Sequence, residues 1–165
     1  MKLAYLIPFC LFLNSSYSQD QFYTYERIDS TLHAWQEMFG YTSHPSDDYE
    51  GFGVIYNLDT IGYSSQDNLP IYAVKLSAHA DIKEAQPRVL ILGQCHAEEI
   101  YGVEISMEII NQFLHPEQFQ ENRTFLQKGL YFTEIWIVPT YNPEGLRVVH
   151  GYVEDGDEIQ DVTYR

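Results

Sequence analysis

A chain of 165 residues with 45% hydrophobic and 20% charged residues is long enough for one domain with a packed core and too apolar for a disordered segment. Its formal net charge of −15 repels phosphate backbones and sets nucleic-acid binding aside. Two cysteines exclude a disulfide scaffold.

The chain opens like a secretory signal. Lys2 supplies the charged start, Leu3 to Leu13 form an apolar run too short to span a bilayer, and Ser16 and Ser18 place small residues before a cut ahead of Gln19. Residues 1–18 are therefore expected to be a signal peptide and 19–165 the mature part, secreted or periplasmic. No later stretch is long and apolar enough to span a membrane. If Cys10 leaves with the signal, Cys95 stands alone, and its apolar neighbours suggest a buried structural thiol.

Thr24 can cap a helix to about Phe39, with Ile28, Leu32, Trp35 and Phe39 at helical spacing and Gly40 as a stop. His33 lies on its flank as a surface residue. Tyr41 to Gly51 has loop composition, with Asp47-Asp48-Tyr49-Glu50 expected to be solvated and His44 exposed. Val54–Ile61 and Ile71–Ser77 are strand-like and can pair as a hairpin around the polar turn Tyr63–Pro70. A loop holding His79 leads to Val89-Leu90-Ile91-Leu92, a short apolar strand that breaks at Gly93.

From Glu99 to Leu114, Ile100, Val103, Met107, Ile110 and Leu114 recur at spacings of three and four, which predicts an amphipathic helix with Met107 as core filler. Gly102 within it permits close packing on the sheet. A short helix over Arg123–Gln127 and a strand over Tyr131–Val138 follow. Asn142-Pro143-Glu144-Gly145 has the residues of a type I turn. Strand, long helix and second apolar strand argue for a layered α/β domain, with the strands buried on both faces.

The chemistry concentrates at His96 and Glu99, just beyond the Val89–Gly93 strand. Spaced i, i+3 on a turn or helix start, both side chains can reach one point, and an imidazole and a carboxylate are zinc ligands that leave the metal's acidity intact. Chance alone supplies about half a His-x-x-Glu match in such a composition. Position is what raises this one: the carboxyl edge of a strand is where open α/β sheets bind ligands. Residue chemistry leaves a metal site and a hydrogen-bonded structural histidine both open.

Leu90-Ile91-Leu92-Gly93-Gln94-Cys95-His96-Ala97-Glu98-Glu99, followed downstream by Ile137-Val138-Pro139-Thr140-Tyr141-Asn142-Pro143-Glu144-Gly145, resembles the zinc metallocarboxypeptidase family of the carboxypeptidase A and B type. The resemblance runs over roughly residues 22–165. It implies a three-layer α/β domain with a mixed, largely parallel sheet flanked by helices, truncated at its C-terminal side, so that 19–165 is the N-terminal portion of a catalytic domain. It also implies Zn²⁺ as cofactor, removal of C-terminal residues from peptides or proteins, and His96 and Glu99 as two of the zinc ligands. Tyr164-Arg165 resembles the start of the family segment whose arginine steadies the oxyanion, which gives Arg165 that role. Glu98 departs from the pattern, since many relatives carry arginine there. The family's third ligand, a histidine, and its glutamate general base lie downstream of the turn and match nothing here. The chain by itself is expected to bind zinc poorly and to be inactive. A related zinc deacylase or cell-wall peptide amidase, and a non-catalytic secreted binding module with a degenerate metal site, are the alternatives.

Overall fold

The protein is seen in a computed structural model that describes residues 22–151. The signal-like segment, Tyr164 and Arg165 lie outside the described residues. Helix α1 (Tyr25–Phe39) starts where Thr24 Oγ1 accepts the Arg27 amide at 3.2 Å, and it buries Ile28, Leu32, Trp35 and Phe39. Strands β1 (Tyr56–Tyr63) and β2 (Pro70–Leu76) form the expected antiparallel hairpin. Then come β3 (Arg88–Gln94), α2 (Ile100–Leu114), α3 (Arg123–Phe132), β4 (Glu134–Thr140) and α4 (Pro143–Val149).

The four strands are ordered β1-β2-β4-β3. Helices α2 and α3 carry the chain from β3 across to β4, which pairs parallel to it, with Ile91 opposite Ile137 and Gln94 opposite Thr140. The α/β architecture and the mixed sheet are as expected. The balance is not: among the described residues two of the three pairings, β1 with β2 and β2 with β4, are antiparallel. A hairpin feeds β2 directly against β1, so only the β3–β4 connection needs a helical crossover.

One core lies on the face formed by Tyr72, Val74, Leu76, Ile135 and Ile137, and α1, α2, α3 and α4 all contribute to it through Leu32, Met107, Leu130 and Leu146. The opposite face is polar at Asn57, Asp59 and Lys75. On β3, Leu90 and Leu92 are 63% and 52% exposed, so this strand is not buried on both faces among the described residues. Its continuous apolar run carries no alternation and cannot report which face is covered.

Four local readings change. Helix α3 extends to Phe132, well past Gln127, because Leu126 and Leu130 bury at i, i+4 and Gly129 packs closely against the Phe113 ring of α2. Asn142-Pro143-Glu144-Gly145 opens a short helix instead of a turn. Asn142 accepts the Gly145 amide at 3.0 Å as N-cap and Pro143 takes the first helical position, where its missing N–H costs nothing. His44 is buried at 8% exposure: its Nε2 bonds the Leu114 carbonyl that ends α2, and its Nδ1 accepts the Ser46 amide. Asp48 and Tyr49 are buried as well, with Asp48 paired to Arg123. Loop composition signals an irregular backbone, not whether another element lies over it.

Candidate functional site

The carboxyl ends of β3 and β4 meet, and a pair of buried polar side chains joins them: the Thr140 hydroxyl donates to Gln94 Oε1, and the Tyr141 amide donates to the Gln94 carbonyl at 3.3 Å. Helix α2 is seated close to this point by two glycines. A Cβ on Gly93 would lie 2.2 Å from the Pro139 carbonyl oxygen, and one on Gly102 would lie 2.8 Å from the Gly93 carbonyl carbon. The backbone of α2 touches the backbone of β3 there, so the close packing read from Gly102 in the sequence has its partner in Gly93.

Between strand and helix the chain makes one tight turn, in which the Glu99 amide donates to the His96 carbonyl at 3.0 Å. The Glu99 side chain folds back over it. Its Oε2 accepts the His96 amide at 3.0 Å and the Cys95 amide at 3.4 Å. The His96 amide is the main reason the Glu99 carboxyl sits below its ordinary pKa; some lost hydration opposes it, and the Cys95 amide and the nearby imidazole add to it. The carboxylate is thus charged and fixed while still exposed to solvent.

This brings together the two residues singled out in the sequence. One donor atom each from His96, Glu99 and Cys95 lie within 4.8 Å of one another, and among the described residues this is the one such group of three. His33 pairs with Asp29 on the flank of α1, His44 is tied to the end of α2, and His115 faces Glu117. Imidazole, carboxylate and thiol are all zinc donors, so the residues fit that metal in kind and in proximity.

Two features escape sequence reasoning. Asn142 serves both motifs at once: while its Oδ1 caps α4, its Nδ2 donates to the Cys95 carbonyl at 3.0 Å. Glu144 anchors the long loop of the hairpin by accepting the Gln66 and Asp67 amides at 2.8 and 2.7 Å. A capping asparagine before Pro143 was a visible signal for a helix start, but nothing in the sequence pointed to its second bond. Cys95 also differs from expectation. It is half-buried, not enclosed, and its sulfur lies with the site's donors.

Fold and site together define an α/β protein with a cluster of potential metal donors at the carboxyl edge of a parallel strand pair. The chain belongs to the zinc carboxypeptidase family: the family model for zinc carboxypeptidases of peptidase group M14 matches residues 50–161, which include every donor named above. A zinc carboxypeptidase from Saccharothrix mutabilis subsp. capreolus is 30% identical over 105 residues, covering 64% of this chain and 21% of that protein. The structure resembles that of thrombin activatable fibrinolysis inhibitor (TM-score 0.61, 18% identity, covering 87% of this chain and 30% of that one). It also resembles carboxypeptidase A from Helicoverpa armigera (TM-score 0.58, 16% identity, covering 86% and 28%). At these identities the solved structures speak to the fold. The chain spans about a fifth of the curated relative it matches and under a third of these two structures.

Proposed function

We propose that this chain carries the metal-binding portion of an exported zinc carboxypeptidase that removes C-terminal residues from peptides or proteins. The observation that carries the reading is the placement of His96 and Glu99 at one point, at the carboxyl end of β3, in a chain of this family. Zinc bound there would supply Lewis acidity toward a peptide carbonyl and lower the pKa of a water. His96 contributes a neutral nitrogen donor and Glu99 a carboxylate that its backbone amides keep ionised. Arg165, which resembles the arginine of the family's oxyanion segment, would offer positive charge to the carbonyl oxygen as it gains negative charge. The reading also calls for a base that takes the water's proton and a further histidine ligand, and neither is assigned to a residue here. Export follows from the N-terminal segment, Lys2 to Ser18. Among the described residues no helix is long and apolar enough to cross a membrane.

The test uses the gene product read to its natural stop, with two peptides that differ only in a free or amidated C-terminus. Release of the terminal residue from the free peptide alone, lost in Glu99→Gln, is expected. Equal cleavage of the amidated peptide contradicts an exopeptidase and favours an amidase. Turnover by residues 1–165 alone contradicts the reading that they carry only the metal-binding portion of the site.

A further inference from the structure

The ladder between β3 and β4 ends where Gln94 faces Thr140, and the two backbones then part, one into the His96–Glu99 turn and the other into α4. The next carbonyl of the turn, that of Cys95, is met by a side chain: Asn142 Nδ2 donates to it at 3.0 Å. That bond reaches the site through one rigid unit. The Cys95 carbonyl and the His96 amide belong to the same planar peptide group, and the amide donates to Glu99 Oε2 at 3.0 Å. One peptide is thus gripped at its oxygen by Asn142 and at its nitrogen by the Glu99 carboxylate. Its orientation sets where the His96 Cα departs and where the carboxylate rests. A donor on its carbonyl also polarises the N–H that Glu99 accepts.

Asn142 is itself held from several sides. Its backbone amide donates to Thr140 Oγ1 at 3.1 Å, the Thr140 hydroxyl donates on to Gln94 Oε1, and Asn142 Oδ1 accepts the Gly145 amide at 3.0 Å. Gly145 supplies the room: a Cβ there would lie 2.5 Å from Asn142 Nδ2 and 2.8 Å from Oδ1. Alanine suits a helical position better than glycine, so the glycine here is explained by the asparagine side chain lying over it. Resting on the metal reading above, we propose that Asn142 is a positioning residue for the metal turn. It holds the Cys95–His96 peptide so that His96 and Glu99 are set for one ion before the ion arrives, and Gly145 clears the space for its side chain. It acts through the backbone of the turn, as outer partners orient metal ligands elsewhere.

Asn142→Ser in the full chain tests this, because serine keeps a cap oxygen for α4, adds no charge and lacks the Nδ2 donor. Zinc affinity, melting temperature and the zinc-free amide spectrum are read together. Zinc binding at least about tenfold weaker than in the native chain is expected, with the melting temperature kept within about 3 °C. The His96 amide proton should move upfield without zinc as its bond to Glu99 weakens, while the Gly145 amide stays capped. Gly145→Ala displaces the same side chain by another route and should weaken zinc binding to a similar degree. Native zinc affinity with an unmoved His96 amide in both variants overturns the positioning role and leaves the His96–Glu99 site standing. Weaker binding that only tracks a falling melting temperature, with the His96 amide unmoved, overturns it too. No zinc binding by the native chain at millimolar metal overturns the metal reading and this role with it.

Discussion

The two ends of the β3–β4 pair each hold a carboxylate, and the two are held in opposite ways. At the amino end Glu134 is 1% exposed and is closed in by side chains: Arg88 Nε binds Oε2 at 2.5 Å, the Trp136 indole donates to the same oxygen, and Lys75, itself 5% exposed, stands 3.5 Å from Oε1. Burial opposes its ionisation, but those partners prevail and bring its pKa down to about 2. At the carboxyl end Glu99 is exposed and is bound by backbone amides alone. Where charged side chains answer the carboxylate, it serves stability. Where only the backbone holds it, it stays ionised with its charge turned outward, and that is the condition for meeting a cation.

The comparison can be broken first at its buried end. Glu134→Ala leaves the buried Lys75 ammonium with the Ile82 carbonyl but without its carboxylate, and a loss of about 3–5 kcal/mol of stability is expected in urea unfolding. A loss below about 1 kcal/mol contradicts a structural role. The same carboxylate sets an acid limit. Its folded pKa lies below the ordinary 4.5, so its contribution is present above pH 4.5 and fades as pH falls toward about 2. Acid unfolding followed by circular dichroism should show this fade in the native chain and not in Glu134→Ala.

The joint between helix and strand comes next. Gly93→Ala drives a methyl against the Pro139 carbonyl and the α2 backbone, neither of which can rotate away. About 1–3 kcal/mol of destabilisation is expected, together with weaker metal binding as Glu99 moves off the His96 turn. Unchanged affinity in a destabilised variant would show that the turn holds its shape without α2. Asn142→Ala removes the cap of α4 and the bond to Cys95, so about 1 kcal/mol is lost, and hydrogen exchange at the amides of both segments should rise. Glu99→Gln sharpens the contrast with the least effect on folding, within about 0.5 kcal/mol, while zinc affinity falls by about a hundredfold or more.

Much of this was legible in the chain. Periodicity placed α1 and α2, the break at Gly93 marked the end of β3, and His96 and Glu99 stood out because they follow that break. Those signals are local. What could not be read depends on contacts between distant residues: the burial of His44 under α2, the second bond of Asn142, the antiparallel majority of the sheet. Cys95 was misread for a related reason. A thiol among apolar neighbours reads as core filling, and only the turn that follows it decides that the sulfur faces the donors of the site.

The central claim is that His96 and Glu99 form one metal site at the carboxyl end of β3. Zinc titration of the ¹⁵N-labelled full chain, read by backbone amide shifts, tests it most directly. The account predicts saturable shifts centred on Cys95, His96, Glu99 and the first turn of α2, abolished by Glu99→Gln. Shifts centred on His44 and His115, or none at these four places, would contradict it.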